Sequence, residues 1–175
     1  LSNGSLIKKK TSPKESFYHY KLEIPYSTYL LSIVAGDFSE YKNRVGGVDI
    51  KWYVQKGRDR EGWNAFKDTG KIIRFFSNYT GYAYPYKHYT QIAVPEFVFG
   101  GMENFTVTTQ TDLTLHDDRA RLDMDSNGLV AHEAAHLREM NHSAAFWSVV
   151  DEMTVHAKDG KQWLRSNGAR LHSYG

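Results

Sequence analysis

The spacing of apolar residues first changes near Trp63, from strand type to helix type, and this change of period limits the fold more than any other feature. Before it the patterns are of strand type. Phe17 to Ile24 alternates and is rich in tyrosine. Ser27 to Val34 is a short β-type apolar run closed by Gly36-Asp37, and Gly46-Gly47 reads as a turn into a strand over Val48 to Val54. Gln55 to Glu61 is polar and reads as a loop. After Trp63, Phe66, Ile72, Ile73, Phe75 and Phe76 fall on one helical face, with Gly70 as an imperfection and Asn78 to Gly81 as the end. A turn at Tyr84-Pro85-Tyr86, a short strand at Gln91 to Val94, a break at Gly100-Gly101 and a strand over Phe105 to Thr111 follow. Asp112 to Asn127 is a polar loop. Helix resumes near Gly128 and runs through His136, and Ser143 caps a further helix to about Lys158, while Asp159 to Gly175 gives weak signals. Strands first, mixed elements next and helices last predict an α+β fold, with a boundary near Asn43 to Gly47.

A chain of 175 residues, 41% hydrophobic, can bury a core without staples. Cysteine is absent, which excludes disulfide scaffolds and thiolate-ligated zinc. No apolar run approaches the ~18–20 residues of a bilayer span, so no membrane span is expected. Leu1 to Lys10 shows no signal-peptide pattern, and the localisation stays open. Net charge is +2 from 22 basic and 20 acidic residues, mixed along the chain. Lys8-Lys9-Lys10 reads as a solvated face, so no nucleic-acid partner is expected.

The residues that carry chemistry are His132-Glu133-Ala134-Ala135-His136. On a helix, positions i and i+4 share a face, so both imidazoles can reach one metal ion, and imidazole nitrogen suits zinc. Glu133 can then act as general base toward a water that attacks a carbonyl. With eight histidines in the chain, a chance match to this pattern is about a 2% event, so coincidence is the weaker reading. A second candidate is Gly100-Gly101-Met102-Glu103-Asn104, where two glycines allow close backbone approach to a ligand beside an acidic anchor. Taken alone it would be an ordinary glycine turn.

Together the two motifs resemble the aminopeptidase N (alanyl aminopeptidase) family of zinc peptidases, a gluzincin family that pairs a G-x-M-E-N loop with H-E-x-x-H about 25–30 residues later. Glu103 and His132 are 29 residues apart. The likeness extends to Ala93-Val94-Pro95-Glu96-Phe97, to Leu115-His116-Asp117-Asp118-Arg119-Ala120 and to Gly128-Leu129-Val130-Ala131, which look like the bacterial branch with a G-G-M-E-N loop. Leu1-Ser2-Asn3-Gly4 and Ser27-Thr28-Tyr29-Leu30 look like the end of that family's N-terminal β-domain. The resemblance covers about residues 1–136.

It implies a thermolysin-like zinc peptidase catalytic domain over 47–175, preceded at 1–46 by the terminal strands of a β-domain. It implies one zinc ion and peptide substrates with a free N-terminus. Glu103 would bind the substrate's α-amino group, with Gly100, Gly101, Met102 and Asn104 lining the substrate. A carboxylate closing a cleft selects an ammonium group on independent physical grounds, because a chain terminus supplies one there.

The pattern breaks after His136. The family's third zinc ligand is a glutamate nineteen residues later, and that position is Val155, which cannot ligate. Glu152 is the replacement adopted here, three residues early on the expected second helix. His142 has the metzincin spacing from His132 and His136, with Glu139 where that pattern has glycine. The third outcome is loss of the ligand, since Trp163-Leu164-Arg165-Ser166-Asn167-Gly168 is similar to W-L-N-E-G without its glutamate. Most of the β-domain and the helical region that closes the cleft would lie outside residues 1–175, and nothing assigns the oxyanion role to Tyr174. A truncated strand set would expose a sheet edge open to self-association. The competing functional reading is a catalytically impaired fragment or peptide-binding remnant of the same family.

Overall fold

The computed structural model describes residues 1–124 and 126–136, together with 143, 144 and 148. In chain order these hold β1 (Ser5–Thr11), β2 (Ser16–Lys21), β3 (Phe38–Val45), β4 (Val48–Gln55), α1 (Asp59–Phe66), α2 (Thr69–Thr80), β5 (His88–Val94), β6 (Gly101–Met102), β7 (Val107–Thr111) and α3 (Asn127–Ala135). The fold is α+β. Strands β1 and β2 pair antiparallel as a two-stranded ribbon, and the other five form one sheet in the order β3-β4-β5-β7-β6. The crossover from β4 through α1 and α2 returns parallel to β5, and β5 runs parallel to β7. The two edges, β3 and β6, are antiparallel to their neighbours.

Alternation in β4 builds the core. Val48, Ile50, Trp52 and Val54 are buried and the residues between them are not. They pack against Phe66 of α1, Ile72, Ile73 and Phe76 of α2, and Val130, Ala131, Ala134 and Ala135 of α3. The helices therefore lie on one face of the sheet. Gly70 is a packing residue and not an imperfection, because a methyl there would overlap the Val45 side chain of β3. The opposite face at β7 is covered by the N-terminal segment. Asn3 Nδ2 donates to Leu30 O (3.0 Å) and Phe105 O (2.8 Å), and Ser32 Oγ meets Thr109 Oγ1 at 3.1 Å.

Several sequence expectations change. Ser27 to Val34 is not a strand: Thr28–Leu30 is a 3-10 turn, followed by a single bridge between Ser2 and Ile33. Side chains take over what a ladder would supply there. Asn3 and Asn104 both donate to the Leu30 carbonyl, and the Ser32 amide donates to Asn3 Oδ1 at 2.7 Å. The single helix beyond Trp63 is two helices separated at Lys67-Asp68, and the first begins at Asp59, inside the stretch expected as loop. Asp59 and Glu61 in its first turn suit the positive end of the helix. Strands β1 and β3 carry too many lysines, arginines and glutamates to be read from apolar spacing. The Gly46-Gly47 turn, with positive φ at both residues, joins β3 and β4 in a tight hairpin within one sheet. The strands at β5 and β7, the loop after Asp112 and the helix through Ala135 stand where expected. The further helix to Lys158 lies outside the described residues. No helix among the described residues is long and apolar enough to cross a membrane.

Candidate active site

Helix α3 is buried on nearly every side, and its sequence explains how. Ala131, Ala134 and Ala135 are small enough to let it settle among α1, α2 and the sheet. Ser126 at its start does not cap it. The Ser126 hydroxyl donates to Thr114 O (2.6 Å) and lies 3.2 Å from His116 Nδ1, which ties the helix to the preceding loop.

One turn apart on this helix, His132 and His136 are 7% and 5% exposed. Their Nε2 atoms stand 3.3 Å apart with the rings crossed at 81°. An ion bound tetrahedrally at about 2.0–2.1 Å from each of two nitrogens holds them about 3.3–3.4 Å apart, so this pair suits a zinc-like cation. Among the described residues no third metal-binding side chain joins them. Glu152 and His142, the two candidates, lie outside the described residues, as do Val155 and Tyr174.

Glu133 is buried against the edge strand. A methyl on Gly101 would overlap its Oε1, and Oε2 is buried with no hydrogen-bond partner. Burial first, and the negative charge of Glu103 second, hold its carboxyl well above the usual carboxylate range. The structure thus brings Glu133, Gly101 and Glu103 together. Glu103 is partly buried and forms no ion pair among the described residues. Two neighbouring carboxylates, neither in an ion pair among the described residues, make the site receptive to a cation.

The segment holding these glycines is bounded by strained residues. Glu96 and Thr106 have φ of 56° and 64°, in the left-handed region that non-glycine residues seldom adopt. Thr106 is held there by Gly4 N, which donates to its Oγ1 at 2.8 Å, and by Thr90 N, which donates to its carbonyl at 2.9 Å. Gly100 is buried, and its carbonyl accepts from Thr111 N at 3.0 Å. Gly101 and Met102 form edge strand β6. Asn104 is committed inside the fold: Nδ2 donates to Leu30 O (3.1 Å) and Oδ1 accepts from Thr109 Oγ1 (3.0 Å). Its side chain therefore anchors the loop.

Two residues near Glu133 escaped the sequence reading. Tyr89 is fully buried and its hydroxyl accepts from Thr108 Oγ1 at 2.9 Å. Burial raises its phenol pKa, and the Glu133 charge adds to the rise. Gln110 is wholly buried on β7, opposite Gly101. Strand alternation alone carries no signal for either role.

The Peptidase family M1 domain matches residues 64–141, and the YgjP-like metallopeptidase domain matches residues 127–167. Both matches contain His132, Glu133 and His136. Probable aminopeptidase 2 of Sulfurisphaera tokodaii is 37% identical over 113 residues, 63% of this chain and 14% of that protein. Aminopeptidase N of Acetobacter pasteurianus is 33% identical over 115 residues, 63% of this chain and 32% of that protein. Aminopeptidase M1 of Arabidopsis thaliana is 29% identical over 141 residues, 78% of this chain and 16% of that protein. The chain thus spans a third or less of the length of these relatives. Residues 64–141, which hold the G-G-M-E-N strand seated on the glutamate of the H-E-x-x-H helix, thus belong to the aminopeptidase N (peptidase M1) family.

Proposed function

We propose that this chain carries the zinc site and substrate cradle of a peptidase that releases amino acids from the N-terminus of peptides, on a thermolysin-like catalytic domain. The observation that carries the reading is the pair of buried imidazole nitrogens facing each other at 3.3 Å, with Glu133 on the same helix against Gly101. His132 and His136 would hold one zinc ion, with a third ligand from Glu152 or His142. Zinc, when bound, polarises the scissile carbonyl and makes water a nucleophile near neutral pH.

The remaining roles belong to this chain's residues. Glu133 takes the proton of the attacking water and passes it to the leaving amine. Its burial keeps bulk water from competing for that proton. Gly101 and Met102 present a free strand edge beside Glu133, so an extended peptide can pair with it by main-chain hydrogen bonds. Glu103 receives the ammonium of the first residue, a charge-assisted contact that a peptide interior cannot offer. The relatives are named as aminopeptidases, which supports the same substrate class.

Val155, where the family has its third-ligand glutamate, favours one competing reading: a remnant that binds peptides without turnover. Zinc content by elemental analysis, with hydrolysis of aminoacyl chromogenic substrates before and after chelation, separates the two. The peptidase reading expects one zinc per chain, activity that chelation removes and zinc restores, and a loss of about 10²–10⁴-fold in Glu133→Gln with zinc retained. A folded sample without stoichiometric zinc would refute it.

A further inference from the structure

Two carboxamides, Gln91 and Gln110, are wholly buried on the sheet face that meets the helices. Gln110 lies on β7 with both its Nε2 and its Oε1 buried and without a hydrogen-bond partner. Register shows what it stands next to. Gly101 is its antiparallel partner on β6, and Ala93 is its parallel partner on β5. Residues directly opposite one another in a sheet share a face. Gly101 directs its missing Cβ at Glu133, and Ala93 belongs to the core beneath the helices, so the Gln110 side chain rises on that same face. Its two flanking positions are the smallest side chains available, glycine and alanine. Neither neighbour fills the space above Gln110 on the face that meets α3. Glu133, whose Oε1 lies against Gly101, has its Oε2 buried without a hydrogen-bond partner as well.

Gln91 is the competing carboxamide on that face. Its Nε2 is also buried without a partner, but its register partners are Trp52 and Thr108, one pleat away from Gly101, and its Oε1 accepts from Thr69 Oγ1 of α2 at 2.6 Å, which ties that carboxamide to α2. Gln110 has no such commitment.

We propose that Gln110 is a positioning residue for Glu133: its carboxamide N–H donates to the Glu133 carboxylate, directly or through one buried water, and fixes the oxygen that accepts the proton. A buried donor and a buried acceptor left unpartnered are each costly, and rotation of a terminal carboxamide costs little. This inference rests on the reading of Glu133 as general base.

The test uses the intact protein, zinc-loaded, with Gln110→Met and Gln110→Leu, which keep the volume and remove the donor. The expected result is a fall in kcat of about 10-fold or more on an aminoacyl chromogenic substrate, with KM within about twofold and zinc content unchanged. In the Glu133→Gln background the same substitutions should have no further effect on residual turnover, because residues acting through one group are not additive. A purely structural residue would lower activity in both backgrounds. The second readout needs no turnover: one side-chain N–H proton of Gln110 in ¹⁵N spectra should be shifted downfield and protected from exchange, and should move on Glu133→Gln. Unchanged kcat in a folded variant, additive losses, failure of both variants to fold, or a carboxamide signal indifferent to Glu133→Gln each overturns the proposal. Should Glu133→Gln itself leave activity intact, it is the general-base reading that fails, whatever Gln110 does.

Discussion

Gly101 and Glu133 compete for one position: the direction in which Gly101 lacks a side chain is filled by the Glu133 carboxylate. An edge strand and a buried helix, 32 residues apart in sequence, meet there without a spacer. The absence of a Cβ lets the backbone proposed to line the substrate approach the group proposed to move the proton.

Gly101→Ala tests this directly. The methyl must displace either the carboxylate or strand β6, and overpacking of this kind costs about 1–3 kcal/mol. The expected outcome is a fall in kcat/KM of at least about 10-fold with zinc content unchanged, measured by steady-state kinetics and elemental analysis, since the methyl meets Glu133 first. Wild-type kinetics in this variant would show that the contact is not maintained in solution.

Glu103→Gln removes the charge while keeping the shape. If Glu103 receives the substrate ammonium, KM for free peptides rises, and the preference for free over N-acetylated peptides shrinks by about 10-fold or more. A hydrogen bond to a charged group is worth about 1.5–3 kcal/mol. Competition assays between the free and acetylated forms of one peptide measure that ratio, and an unchanged ratio would remove Glu103 from amine recognition.

The third zinc ligand is decided by comparing Glu152→Ala with His142→Ala. One of the two should lower zinc occupancy to the level of His136→Ala, and the other should leave it at wild type, as read by elemental analysis after dialysis against a mild chelator. The M1 match ends at residue 141, while the YgjP-like match runs on through 167, so both candidates fall beyond the region that the aminopeptidase pattern covers. Full occupancy in both variants would refute a ligand set of three protein side chains.

A pH dependence of stability follows from His88. Burial, and then the positive charge of Lys51, lower its pKa from the ordinary 6.5. The folded state therefore binds fewer protons than the unfolded chain between the two values. Its contribution to stability is complete above about pH 6.5 and declines as pH falls toward the lowered folded value. Chemical denaturation from pH 8 to 5 should show this decline, and His88→Gln should flatten the part due to this residue. An identical slope in the variant would assign the effect to other groups.

Sequence patterns revealed the parts of the molecule in which local period and burial agree. The alternation Val48, Ile50, Trp52, Val54 became the central strand, and the histidines four apart became neighbours on one helix. The patterns did not reveal β1 or β3, whose lysines, arginines and glutamates hide their strand period, nor the turn at Thr28–Leu30, which depends on Asn3 and on Asn104. Asn104 itself read as a substrate residue because it stands next to Glu103 in the motif. Its side chain instead points to the opposite face, as alternation along an extended segment allows.

By itself, then, the sequence determined the chemistry available: two imidazoles and a carboxylate in one helical turn, and a glycine pair ahead of a second carboxylate. Those follow from covalent order and from the 3.6-residue period, which act over a few residues. Only the tertiary structure decided that Gly101 would lie against Glu133, that Gln110 would rise beside it, and that Asn104 would serve the loop. Such contacts join residues brought together by sheet register and by a helix packing across it. No local pattern encodes them, because each depends on which strand becomes the neighbour of which.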